Sequence, residues 1–164
     1  MPAEHFCHSC GRDVGDHDRH IRFTLPDLVL ESTEQHHAPG AWLSHEEPNR
    51  SVMMQIPRLG SFVRALLPVS LSHGHTLTFG VWVAISTSEL HRTLSAWWAP
   101  EYADLRLTGY IANTVMPWSL LGAPVALEVT NIDHTPYCVS SPNQCLSDVL
   151  QQQWPHEILE GLPS

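Results

Sequence analysis

The chain has 164 residues, 43% of them hydrophobic and only 15% charged, with six tryptophans, which is the composition of a folded globular domain and excludes a disordered one. Eight arginines and no lysine stand against 17 acidic residues, a formal net charge of -9. Clustered cations are missing apart from Arg12, Arg19 and Arg22, so nucleic acid is excluded as a partner; no apolar run reaches the length of a membrane span, and no basic stretch leads into an apolar one at the N-terminus.

These features predict one acidic, cytoplasmic domain over residues 1–164, whose four cysteines are reduced thiols suited to packing or metal binding. In chain order, residues 1–20 are polar and rich in Cys, His and Asp, and read as a knuckle or loop. Residues 21–30 fit a strand or the start of a helix equally well. Residues 31–50 carry turn formers, paired histidines and Trp42, the pattern of an irregular loop.

A central sheet is predicted over residues 51–132. It begins with a strand at 51–56 that breaks at Pro57. A second strand at 62–71 follows, in which Pro68 lacks a ladder donor and calls for an edge or a bulge. The turn at 72–75 contains a glycine and leads into a strand at 77–85, with Leu77, Phe79, Val81, Val83 and Ile85 on one face and Trp82 on the other, so both faces need cover. A helix over 87–98 follows at once. Ser86 is placed as its cap, Glu89 as the capping-box partner, Ile85 and Leu90 as a staple, and Leu90, Leu94, Trp97 and Trp98 as its apolar stripe. Strands at 106–111 and 124–132 complete the sheet. A last helix over 141–154 is capped by Ser141 and striped by Leu146, Val149, Leu150 and Trp154. The predicted fold is therefore α+β: a mainly antiparallel sheet of about five strands, two packed helices and an N-terminal Cys-x2-Cys knuckle.

Chemistry concentrates in few places. Cys7 and Cys10 have the spacing that lets two thiolates grip one zinc from a tight turn, and Gly11 eases that turn. The other half of a tetrahedral site is not fixed by spacing. His17, His20, Cys138 and Cys145 are the candidates, and plain reduced thiols or a redox pair are the alternatives. His73 and His75 are on alternate positions and fit a metal pair, but a solvated turn fits as well. Arg64 interrupts an apolar strand and must reach an edge or a carboxylate such as Glu128 or Asp133. With Trp82, Asn113 and Trp118 it forms the candidate pocket. No nucleophile elbow, phosphate loop or His-Glu-x-x-His helix is present.

Taken together, CHSCG near the start, FVRALLPV, FGVWVAIS, GYIANTVMPW and the late histidine of DHTP resemble the bacterial family catalogued as domain of unknown function 2199, over roughly residues 6–150. The resemblance implies a fold and a cysteine knuckle but no reaction. It also implies a cysteine in the strand before FVR, where this chain has Met53 and Met54, and a proline directly after the late histidine, where Thr135 intervenes. Two functions fit. One is a small binding or regulatory module with a structural zinc, which meets another protein through an acidic surface and loop aromatics. The other is a metal-dependent enzyme with histidines around a catalytic ion.

Overall fold

The computed structural model describes residues 19–31 and 40–155. Cys7, Cys10 and His17, and with them the expected knuckle, lie outside the described residues. The elements run β1 (Arg19–Arg22), α1 (Asp27–Glu31), β2 (Trp42–Leu43), β3 (Met53–Ile56), β4 (Gly60–Leu71), β5 (Thr76–Ile85), α2 (Thr87–Ala96), β6 (Arg106–Ile111), β7 (Pro124–Glu128), β8 (Tyr137–Ser140), α3 (Gln144–Gln151) and β9 (Gln153–Trp154). The class is α+β as expected, but the sheet is not open. Strands β4, β5, β6, β7 and β8 close into a five-stranded barrel. Neighbours around the ring are antiparallel except at the closure, where β8 lies parallel to β4 through the pair Leu66 and Tyr137, and the Leu66 amide donates to the Pro136 carbonyl.

Strands β4 and β5 are long because each belongs to two structures at once. They pair with each other from Ser61–Ile85 to Ser70–Thr76. Beyond the ring, β3 and then β2 extend the sheet on the β4 side, and β1 runs parallel to β5 against Leu77 to Gly80. Pro68 sits inside β4 without a bulge. The amides of Arg64 and Leu66 point away from β5, so the missing donor at position 68 faces the gap where the outer neighbour changes from β8 to β9.

The alternation along β5 separates two cores. Leu77, Phe79, Val81, Val83 and Ile85 join Val63, Ala65, Leu67 and Val69 of β4, Leu127 of β7 and Cys138 of β8 in the main one, to which Leu90 of α2 and Leu146 and Val149 of α3 also belong. Trp82 faces the other way, into a smaller core with Phe62, Met54, Ile56, Leu25, Val29 and Ala112. Gly109 on β6 is required by close approach. A Cβ there would stand 2.2 Å from the Ala84 carbonyl oxygen of β5.

Several sequence expectations change. Ser86 does cap α2, accepting from the Glu89 amide at 3.1 Å, but the Glu89 carboxylate turns to Arg92 instead of returning to complete a capping box. The helix ends at Ala96, and only Leu90 and Thr93 are buried on it. Trp97 is partly covered, while Leu94 and Trp98 face outward, because the buried line runs through i, i+3 and i+7 and not i+4 and i+8. The strand expected over 124–132 ends at Glu128, after a register shift between Ala126 and Leu127. The last helix is shorter than expected and capped by Asn143, whose side chain accepts from the Leu146 amide at 3.0 Å; Ser141 donates instead to the Pro124 carbonyl, and Trp154 belongs to β9. Residues 21–30, read as a strand or the start of a helix, hold the end of β1 and most of α1, while strands β2, β8 and β9 had no counterpart in the sequence reading.

Candidate functional site

Three of the four candidate pocket residues meet. Arg64 and Trp82 are cross-strand partners on β4 and β5, both 0% exposed, and the Arg64 guanidinium carbon stands 4.1 Å from the centroid of the indole. Such a cation over a ring face is favoured electrostatically, the more so when desolvated. Neither Glu128 nor Asp133 is its partner, as the sequence had suggested. Arg64 instead donates to backbone oxygens: Ser51 and Gly80 from Nε and Nη1 at 3.2 Å, Pro48 from Nη2 at 3.2 Å, and Phe23 from Nη1. Residue 64 faces the smaller core, where irregular segments bring carbonyls that lack strand partners, and a five-donor fork can gather them. Burial, and after it the charge of Arg22, lowers the Arg64 pKa to about 9, which leaves the group cationic at neutral pH.

Asn113 follows β6 and is also fully buried. Its side-chain oxygen accepts from the Trp82 amide at 2.8 Å, and its amide donates to the Leu25 carbonyl at 2.9 Å and to an Asp27 oxygen at 3.0 Å. The other Asp27 oxygen accepts from the Thr114 amide at 2.8 Å and hydroxyl at 2.7 Å, while the Trp82 indole donates to the Thr24 carbonyl at 3.2 Å. The result is a clamp in which Arg64, Trp82, Asn113 and Asp27 tie residues 23–27 to the outer face of the barrel. Every donor of the Asn113 and Trp82 side chains is used, and no solvent reaches Arg64 or Asn113.

Trp118 is elsewhere. It packs edge-on against Phe79 and Trp154, with ring centroids 6.2 and 5.3 Å apart, alongside the main core. Of the metal candidates, His20 is exposed on β1 and Cys145 is exposed on α3, with its thiol 3.8 Å from the Trp118 carbonyl. Cys138 is buried in the barrel, and burial pushes its thiol up to about 12, the neutral form and a poor ligand. Among the described residues no group of three His, Cys, Asp or Glu side chains is placed to hold a metal ion. No helix among them is long and apolar enough to cross a membrane.

The family model described as an uncharacterized protein conserved in bacteria, domain of unknown function 2199, matches residues 6–151. The chain belongs to this family. Comparison with curated proteins and with solved structures finds no match.

One surface feature was missed in the sequence. Trp98, just past α2, is 93% exposed, and Ile132, in the turn after β7, is 69% exposed. Both line a groove of about 400 Å³ together with Trp97, Tyr102, Asp133 and His134. Its floor is fixed. Trp97 meets Tyr102 edge-on at 5.0 Å, the Tyr102 hydroxyl donates to the His134 carbonyl, and the His134 ring is hydrogen-bonded to the Tyr137 hydroxyl at 2.9 Å. A usable signal was present: Trp98 directly precedes Ala-Pro, outside the i, i+3, i+7 line that starts at Leu90.

Proposed function

We propose that the protein is a small binding or regulatory module that works by docking a partner at the Trp98–Ile132 groove. The observation that carries this reading is the contrast between the two aromatic clusters. The polar one around Arg64 and Trp82 is closed to solvent and has its hydrogen bonds satisfied within the fold, whereas the groove presents two large apolar side chains to water on a fixed floor. Exposed aromatic groups on a rigid base are what an interface anchor requires, and a soluble domain otherwise pays for keeping them. The test is affinity capture from a bacterium that encodes the chain, comparing the native protein with Trp98→Asp/Ile132→Asp. Partners lost with the double variant support the reading; an identical set overturns it.

We further propose that Cys7 and Cys10 supply the thiolate half of a structural zinc site, with His17 and His20 as the nearest candidates for the remainder. The support is their spacing and the exposed position of His20; Cys138 is set aside because its side chain is buried in the main core. Elemental analysis of tag-free protein expressed with added zinc is expected to give about one equivalent per chain, and less than roughly a tenth would overturn the proposal.

A further inference from the structure

Resting on the docking reading, we infer that the Trp98–Ile132 groove takes a cationic segment of a partner protein: one large apolar side chain seated against Trp97 and Ile132, flanked by Lys or Arg over Trp98 and the surrounding carboxylates. Carboxylates stand in the groove and on the turn next to it. Asp133 lines the groove itself, and Glu101 and Asp104 are exposed on the short 3-10 turn Pro100–Asp104 that also puts Tyr102 into the groove wall. None of these three carboxylates is in an ion pair among the described residues. The arginines that stand two residues from this region in the chain are already engaged, Arg50, beside the lining residue Val52, with Glu47 at 3.3 Å and Arg106, beside Asp104, with Glu128 at 3.8 Å. The groove therefore carries one unpaired carboxylate, Asp133, beside its apolar centre, with two more on the turn that adjoins it, and negative charge so placed steers and selects a basic partner.

The exposed face of Trp98 adds to this preference, because an indole attracts a guanidinium laid over it. A second copy of the chain is disfavoured as the occupant. Each copy carries a formal charge of -9, and a symmetric contact at this groove would set matching carboxylates against each other. An anionic bilayer meets the same repulsion.

The experiment pans displayed random peptides on the full-length protein, with counter-selection on Trp98→Ala. Because Trp98 is almost wholly exposed, this variant should retain the native melting temperature, which is checked first. Enriched peptides are expected to carry net positive charge and at least one Trp, Phe, Leu or Ile. As synthetic peptides they should bind the native chain about tenfold or more tightly than Trp98→Ala. Raising the salt should weaken binding, and Glu101→Gln/Asp104→Asn/Asp133→Asn should flatten that salt dependence. Neutral or acidic selected peptides, no enrichment over the counter-selection, or equal binding to both chains would overturn the inference. So would a Trp98-dependent dimer in sedimentation, which assigns the groove to a second copy, or Trp98-dependent binding to phosphatidylglycerol vesicles, which assigns it to a membrane. If native capture depends on Trp98 but the partner segment is not cationic, only this inference falls. If capture does not depend on Trp98, the docking reading falls with it.

Discussion

Arg64→Leu isolates the question of what a buried guanidinium contributes when no carboxylate accompanies it. Two of its four carbonyl partners keep another donor: Gly80 also accepts from the Phe23 amide at 3.0 Å, and Pro48 from the Ser51 amide at 3.1 Å. The carbonyls of Phe23 and Ser51 lose the side-chain donor described for them. One buried and one part-buried acceptor left unsatisfied cost ~1–3 kcal/mol each, and loss of a desolvated cation over the Trp82 ring costs ~2 kcal/mol more. Removing a charge that was itself desolvated returns part of this. The net expectation is a destabilisation of about 4 kcal/mol, within the range seen for buried charged networks that lose one member. Urea denaturation at neutral pH, followed by tryptophan fluorescence, should show the midpoint falling by about 2 M at an unchanged slope. Arg64→Lys keeps the charge but not the fork and should fall between the two. A shift of less than roughly 0.5 M for Arg64→Leu, or a native-like midpoint for Arg64→Lys, would refute the reasoning.

Gly109→Ala places a methyl group 2.2 Å from the Ala84 carbonyl and 2.8 Å from a Val83 methyl, and should cost about 2–3 kcal/mol, read as a melting temperature lower by roughly 5–10 °C. Asp27→Ala removes the acceptor for Thr114 and Asn113, so amide exchange in residues 23–31 should accelerate while that of β6 and β7 stays slow. In a Cys7→Ser/Cys10→Ser background, iodoacetamide should label exposed Cys145 in the native state, whereas buried Cys138 reacts only on unfolding. The Cys138 pKa is raised by burial from 9.0 to about 12, so the folded state holds the proton longer than the unfolded one; its contribution to stability is intact below pH 9 and is lost as pH rises toward 12. Comparing the native chain with Cys138→Ala over that window should show the native chain declining more steeply.

How far the sequence could be read depended on the range of the interaction. The β5 alternation and the Ser86 cap involve neighbours in sequence, so both faces of β5 and the start of α2 were legible. Barrel closure was not, because it depends on a parallel contact between Leu66 and Tyr137, residues far apart in the chain and in a strand too short to show a period. Arg64 was recognised as anomalous on an apolar strand. Its partners are four backbone carbonyls from three separate segments, and no side-chain pattern encodes those. Trp98 was misread because a stripe drawn through apolar residues collects Leu94, Trp97 and Trp98, whereas the buried line runs from Leu90 through Thr93, a polar residue that gives no apolar signal.

The parallel closure also bears on how the protein is made. Ring completion waits for Tyr137, and β9, which covers β4 at Ser70 and Leu71, comes later still. A nascent chain that has emerged only through β7 is an open sheet, with the outer edge of β7 and the edge of β4 from Leu66 onward both unpaired. Open edges of this kind invite pairing with other chains. Fragments that stop before Tyr137 should consequently be recovered as aggregates, which places the burden of solubility during synthesis on β8 and β9.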